Sequence, residues 1–309
     1  MKPPELISVV TLLLVIFLVL LHELFWLFCV LRKKPLRPGK TRNIVHCIFI
    51  AGFVLLLYAL FIEPYWLDVK HVEITTKKLT KANFTIVQIS DLHCDLQKRA
   101  EEKLVRLVNA IQPDIIAFTG DAVNSPEALP SFKDTLKRLR ASLGKVGVKG
   151  NWDVWYWQGM DTFSGTDFNE LSGETVSFFK NGEKLSVIGF NPDQPVDLRA
   201  LSRLPSEAYT ILLYHFPGLN EETGEVPIDL FLSGHTHGGQ VALPFYGALV
   251  TSSRYGKKYE SGAYTLGKDQ MLYVNRGIGM EGGIAPRLRF FSRPEITVFH
   301  IKPESQTKI

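Results

Sequence analysis

A chain of 309 residues with 46% hydrophobic side chains is long enough for one large domain with an ample core plus an appendage. Its net charge of +4 comes from residues 1–70, where eight Lys and Arg face four Asp and Glu; residues 71–309 carry 27 of each, a balance that argues against a nucleic-acid-binding domain. Three cysteines (Cys29, Cys47 and Cys94) without a CxxC pair argue against a thiolate zinc site, and Cys94, alone in the polar part, has no disulfide partner there and reads as a small packed residue.

Two apolar stretches open the chain, Leu6 to Leu31 and Ile44 to Ile62, the first broken by His22 and Glu23. At about 1.5 Å per helical residue, each covers a hydrocarbon core of about 30 Å. Arg32, Lys33, Lys34, Arg37, Lys40 and Arg42 crowd the connector, and Trp26, Tyr65 and Trp66 sit near apolar ends, where such rings favour the membrane interface. The first stretch is too long for a cleavable signal, and no small-residue cleavage site follows it. Residues 1–68 are therefore expected to associate with a lipid bilayer, the inner (cytoplasmic) membrane. A basic connector stays cytoplasmic, so two full spans would leave the rest of the chain outside. We expect one segment to lie in the interface and residues 69–309 to face the cytoplasm.

From about Val69 short apolar strands alternate with amphipathic helices. Phe84 to Ser90 reads as a buried strand, followed by a helix on Leu104, Leu107, Val108 and Ile111. Ile115 to Phe118 is a second strand, Phe132, Leu136, Leu139 and Leu143 mark a second helix, and Val146 to Val148 is a third strand. Val176 to Phe190 is a hairpin turning at Asn181-Gly182. Further strands are expected at Ile211–Tyr214, Ile228–Leu232, Met271–Val274 and Ile296–His300. The order, strand–helix alternation first and mostly strands afterwards, implies α/β layers with two packed sheets.

Polar residues cluster where these strands end: Asp91-Leu-His93, Gly120-Asp121, Gly150-Asn151-Trp152-Asp153, His215, and Gly234-His235-Thr-His237. Strand ends are where an α/β sheet displays its working groups. Four of the eight histidines fall in this set. Carboxylate, imidazole and one amide oxygen suit manganese, iron or zinc, and the lack of thiolates disfavours a structural zinc. Asp91 and His93, two apart on an extended chain, point to one side, and His235 and His237 share that spacing. Seven ligands exceed one ion but suit two that share a bridging carboxylate and clamp a phosphate in line with a water nucleophile.

This ordered series, D-x-H, G-D, G-N-x-D, H and G-H-x-H, resembles the calcineurin-like metallophosphoesterase superfamily over residues 84–300. The resemblance implies a four-layer αββα sandwich in residues 69–309, preceded by the membrane helices. It implies one metal held by Asp91, His93, Asp121 and His237, and another by Asp121, Asn151, His215 and His235, with Asp121 bridging. Glu63-Pro64, Gly238-Gly239-Gln240-Val241 and Arg276-Gly-Ile-Gly279 resemble the membrane-anchored branch. The family usually reads G-N-H-D, its histidine protonating the leaving group; here that position is Trp152. A simple alkoxide needs that proton, whereas a phosphate leaving group, with a second pKa of about 6, does not. The UDP-2,3-diacylglucosamine pyrophosphatases of lipid A synthesis also lack the histidine, and their substrate is a membrane lipid carrying a diphosphate.

These readings converge on a Mn²⁺-preferring two-metal hydrolase, Fe or Zn being alternatives, acting on a lipid-linked nucleotide diphosphate such as UDP-2,3-diacylglucosamine. A broad cell-envelope phosphodiesterase or phosphatase is the second reading, and a non-catalytic phosphate-binding protein the third. Asn151 and Asp153 are the catalytic candidates, although Asp153 suits a structural hydrogen-bond acceptor equally well. Trp152, Arg254, Lys257 and Arg276 are the substrate-binding candidates, each of the cations having a solvated face as its alternative. Trp152, Trp155, Tyr156 and Trp157 suit a cap, an acyl-chain wall, an interface contact or plain core packing. Because no ligand precedes Asp91, residues 1–68 are expected to be dispensable for assembling the metal site.

Overall fold

The computed structural model describes residues 2–33, 39–223, 226–267, 270–283 and 287–304; Lys34 and Arg37 of the basic connector lie outside the described residues. Two helices, α1 (Pro3–Leu31) and α2 (Lys40–Phe61), are long and apolar enough to cross a membrane. They run back along each other and meet at a polar contact, Glu23 with His46 at 2.6 Å, where Trp26 also sets its edge against His46. Their apolar side chains otherwise face outward, as a lipid-facing helix requires and a water-facing one does not.

The chain then enters β1 (Asp68–Thr76), β2 (Phe84–Ile89), α3 (Glu101–Ile111), β3 (Ile115–Thr119), α4 (Leu129–Arg138), β4 (Gly144–Val148) and β5 (Phe168–Glu170). It continues through the hairpin β6 (Thr175–Lys180) and β7 (Glu183–Phe190), then α5 (Leu198–Ser202), β8 (Tyr209–Tyr214), α6 (Asn220–Thr223) and β9 (Leu230–Ser233). A small hairpin, β10 (Ala242–Leu243) with β11 (Gly247–Ala248), precedes β12 (Gly262–Leu266), β13 (Gln270–Val274) and β14 (Glu295–Pro303). Two six-stranded sheets result, ordered β1-β14-β2-β3-β4-β5 and β12-β13-β9-β8-β7-β6. Strands β2, β3 and β4 are parallel in the first sheet, and β7, β8, β9 and β13 are parallel in the second.

Three apolar clusters separate the layers. Leu104, Val108, Phe132 and Leu136 of α3 and α4 cover the outer face of the first sheet. Phe84, Ile86 and Val146 meet Val187, Leu213 and Leu232 between the sheets. Ile188, Leu212 and Phe231 face outward from the second sheet beneath Leu201 of α5. The architecture is the four-layer αββα sandwich, with a thin fourth layer because α5 has five residues and α6 four. Gln88 of β2 stitches the two sheets under the site, its amide donating to Thr119 Oγ1 and to the Ser233 carbonyl.

Several elements depart from the periodicity reading. Helix α4 stops at Arg138 rather than reaching Leu143, because Leu139 is already extended (φ −73°, ψ 139°) yet remains buried. Asp114 gathers the following segment, its carbonyl taking the Leu143 amide at 2.8 Å and its carboxylate the Ser142 hydroxyl at 3.0 Å. Strand β9 begins at Leu230, two residues later than expected, since Ile228 turns away to the outer cluster. Strands β1, β5 and β12 carry too few apolar residues to announce themselves; β1 is held by a nine-residue parallel pairing with β14.

Candidate metal centre

The candidate ligands follow the C-terminal ends of five strands: β2 leads to Asp91 and His93, β3 to Asp121, β4 to Asn151, β8 to His215, and β9 to His235 and His237. The loops are zipped together by backbone bonds, among them Asp91 N–H to the Gly120 carbonyl (2.8 Å) and His93 N–H to the Asp121 carbonyl (3.2 Å). Asp91, His93, Asp121, His235 and His237 all have positive φ, from 39° to 73°. Left-handed backbone costs a non-glycine residue about 1–2 kcal/mol, and such strain concentrates at functional sites. Their neighbours are glycines for lack of room: a methyl on Gly234 would strike Ser90 and the Asp91 carboxylate, and one on Gly150 would strike Asp121.

Distances among the side chains fit shared ions. His93 Nε2 lies 3.5 Å and His215 Nε2 3.3 Å from the same oxygen, Asp121 Oδ2, while His237 Nε2 lies 3.4 Å from Asp91 Oδ1. Metal–ligand bonds of about 2.1 Å put neighbouring donors on one ion roughly 3–3.5 Å apart. Asp91, His93 and His237 form one group and Asp91, Asp121 and His215 a second; Asp121 Oδ2 also lies between His93 and His215, and Asn151 Oδ1 is 3.0 Å from His215 Nε2. The His235 ring is edge-on to His215, with centroids 5.1 Å apart, and its backbone N–H donates to Asp91. Among the described residues neither nitrogen of the buried His93 ring finds a hydrogen-bond partner, Nε2 lying 3.5 Å from Asp121 Oδ2, an expensive arrangement for a polar group unless a cation takes a lone pair. The donor set therefore fits divalent metal.

Electrostatics at two of these groups suit a metal site, whereas at His215 burial is outweighed and Asp121 helps hold the ring above its ordinary range, at about 9, so that ring must give up a proton to bind metal. Burial opposes the charge on Asp121, but the neighbouring His215 and His93 outweigh it and hold the carboxyl well below its ordinary range. Burial, with the charges of His93 and Arg289, presses His237 well below its ordinary value, leaving the neutral imidazole that a metal requires. His215 donates its other ring nitrogen to the Thr119 carbonyl at 2.8 Å, which fixes the ring and leaves Nε2 for the site.

The remaining sequence candidates divide. Trp152 opens a π-helical turn, Trp152–Tyr156, and its ring stands edge-on to His93 at 5.2 Å with its indole N–H 3.4 Å from Glu281. Asp153 spends both carboxylate oxygens on the amides of Gly150 (2.8 Å), Asp121 (2.9 Å) and Ala122 (2.9 Å), tying two ligand loops together, which is the geometry of the structural acceptor. Arg276 rests on Gly238 but gives its guanidinium to Glu295 (2.6 Å) and Asp68 (2.9 Å). Arg254 is exposed and pairs with Glu222, and Lys257 is held by Glu260 and the Tyr246 and Ala248 carbonyls. The charged ends of these three cations are thus engaged away from the ligand cluster. Cys94 is buried, its thiol pushed well above its ordinary pKa by burial.

Sequence reasoning missed three residues. Arg289 is fully buried and donates to the Gly279, Arg276 and Ser292 carbonyls and, at 3.2 Å, toward His237 Nδ1. Burial, with Arg276 close by, lowers its pKa to about 9, so it remains charged at neutral pH. Its one signal was a lone cation in the apolar run Leu288-Arg289-Phe290-Phe291. Phe216 packs on His235 at 4.5 Å and stacks with Trp155, completing an aromatic rim with Trp152 and Tyr156. Glu281, drawn up in pKa by burial, stands beside Trp152, and no motif marks it.

Comparison with known proteins agrees with this geometry. The calcineurin-like phosphoesterase family model matches residues 84–239, from β2 through the last two histidines. The uncharacterised metallophosphoesterase YkuE of Bacillus subtilis is 34% identical over 263 residues, covering 79% of this chain and 89% of that protein. A metallophosphoesterase of Aquifex aeolicus is 30% identical, covering 78% of this chain and 94% of its own length. The UDP-2,3-diacylglucosamine pyrophosphatase LpxG of Chlamydia muridarum is 26% identical, covering 75% and 92% respectively. The chain is a metal-dependent phosphohydrolase and belongs to the calcineurin-like phosphoesterase family.

Proposed function

We propose that the protein hydrolyses a pyrophosphate bond in a membrane-resident lipid, and that UDP-2,3-diacylglucosamine, cleaved to UMP and a lipid monophosphate, is the substrate. Asp91, His93, Asp121 and His237 would hold one divalent ion, and Asp121, Asn151, His215 and His235 the other, manganese preferred. When bound, such a pair polarises phosphoryl oxygens and makes water a nucleophile at neutral pH. The observation that carries the bond class is Trp152. At the position of the family's proton-donating histidine, an indole whose N–H points at Glu281 delivers no proton, so the leaving group must depart unaided, as a phosphate does. The exposed rings of Trp155 and Tyr156 extend an apolar rim suited to a lipid. The relative named for this pyrophosphatase activity supports the substrate. Incubating purified, metal-loaded protein with UDP-2,3-diacylglucosamine should release UMP; no UMP, with aryl phosphodiesters still cleaved, would reject this substrate.

That reading needs the domain at the cytoplasmic face of the inner membrane. One observation favours the second reading, a cell-envelope phosphodiesterase. Helices α1 and α2 pair through Glu23 and His46 as two spans would, and two spans with a cytoplasmic basic connector put the domain outside. Labelling a cysteine introduced in the domain with an impermeant reagent separates the two. Labelling in intact spheroplasts selects the envelope enzyme, and protection until lysis selects the nucleotide-lipid enzyme.

A further inference from the structure

We infer that the catalytic domain is sunk into the interfacial layer of the bilayer by two aromatic loops, residues 244–246 and 290–293, which set the metal centre at the depth of lipid headgroup phosphates. The inference rests on both α1 and α2 crossing the bilayer as full spans, in place of the expectation that one of them lies in the interface.

The helix ends fix the level. At the start of α1, Glu5 takes the amide of Thr251 (3.1 Å) and its hydroxyl (2.9 Å), and Ser8 meets the Tyr246 hydroxyl. At the end of α2, the Ala59 carbonyl accepts from Arg289 N–H (3.1 Å) and the buried Glu63 accepts from Ser292 N–H (2.6 Å). Beyond these fastenings α1 runs from Val9 to Leu31 and α2 from Lys40 back to Tyr58. At about 1.5 Å per residue they extend roughly 34 and 28 Å, close to the thickness of a hydrocarbon core of about 30 Å. The domain segments that hold the helix ends therefore lie at the boundary between water and hydrocarbon.

Those segments carry aromatics that face outward. Phe245, at the tip of the β10–β11 hairpin, is fully exposed, and Phe291 is 57% exposed. Both hold positive φ, 65° and 51°, a backbone cost for an aromatic residue, and Phe291 sets its ring edge-on only to its chain neighbour Phe290 among the described residues, with centroids 4.8 Å apart. The loops form one surface, since Ala242 N–H donates to the Phe290 carbonyl (2.8 Å) and Phe290 N–H to that of Gln240 (3.0 Å). Around them cations lie over ring faces: Lys257 is 4.1 Å from the Tyr246 centroid and Arg293 4.2 Å from that of Trp66. A ring in the acyl boundary beneath a cation at the phosphates is the arrangement an anionic headgroup layer rewards.

The same segments back the metal histidines. The Ser292 hydroxyl donates to the His237 carbonyl, Arg289 reaches His237 Nδ1, and His235 Nε2 lies 3.3 Å from the Ser252 carbonyl. A headgroup phosphate can then be engaged while its acyl chains stay in the bilayer.

The test places the photo-crosslinking phenylalanine analogue p-benzoylphenylalanine in the full chain, reconstituted in vesicles containing tritiated phosphatidylethanolamine. Positions 245 and 291 are compared with Phe17, in mid-α1, and Asn181, at the pole of the second sheet away from the site. Phe245 makes no buried contact, so its replacement removes no packing. Label transfer at 245 and 291 should approach that at 17 and exceed that at 181 several-fold. Transfer at 17 with 245 and 291 no higher than 181 overturns this inference and leaves the anchor standing. No transfer at 17 overturns the membrane reading, and this inference with it.

Discussion

Gly150→Ala is the sharpest small perturbation of the site. Gly150 has negative φ, so the backbone accepts alanine and only the added methyl matters. That methyl would lie 2.5 Å from Asp121 N and 2.8 Å from Asp121 Cγ, well inside van der Waals contact. Asp121 has nowhere to go. Its N–H is held by Asp153, its Oδ1 accepts from Trp152 N–H at 2.8 Å, and its Oδ2 sits between His93 and His215. Relief requires the two loops to part by roughly 1 Å, a misplacement that typically costs about a hundredfold in rate. Overpacking of this kind lowers stability by about 1–3 kcal/mol. The assays are kcat/KM on a soluble aryl phosphodiester, bound metal per chain, and Tm. Gly182→Ala is the control: it strains a turn with φ +80° and open space, far from the ligands, so it should lose stability and keep activity. A Gly150→Ala protein with activity within twofold of wild type would refute the close packing of Asp121.

Three further outcomes are expected. Asp121→Ala should abolish activity and leave less than one ion per chain, as measured by elemental analysis; two ions retained would sink its bridging role. Trp152→His should leave the pyrophosphatase rate unchanged and raise activity on simple alkyl esters, where proton transfer is worth about a hundredfold or more; a wild-type enzyme as fast on alkyl monoesters as on diphosphates contradicts the leaving-group argument. A chain beginning at Ile62 should keep its metal, whereas one beginning at Val69 loses buried Leu67 and the Glu63–Ser292 bond behind His237. That is about 3 kcal/mol, or roughly 6–12 °C in Tm for a domain of this size. Equal melting curves and metal contents would bear out the expectation that the metal site assembles without residues 1–68.

How far the sequence could be read follows from the range of the interactions. Apolar runs ending in Asp, Asn or His marked the ends of β2, β3, β4, β8 and β9, because strand burial and ligand chemistry are both local in sequence. The ordered series of blocks then carried the sandwich, and the strand ends bring the candidate ligands together. What escaped was long-range. Glu63, marked in the sequence only as part of Glu63-Pro64, is buried against Ser292, 229 residues away. Arg289, which no motif singles out, is a fully buried support for His237. Arg276 reads as an anion binder, yet Asp68 and Glu295 claim its guanidinium through the pairing of β1 with β14. The π-turn at Trp152–Tyr156 leaves no periodic trace, since five residues are too few to establish one.

The central claim is that Asp91, His93, Asp121, Asn151, His215, His235 and His237 hold two ions that act together in phosphoester hydrolysis. The most direct test is to strip the purified protein with chelator and titrate it with Mn²⁺ while following cleavage of bis(p-nitrophenyl) phosphate. Activity should be negligible without metal and reach its plateau only at two equivalents per chain. A plateau at one equivalent, or turnover by the stripped protein, would contradict the account.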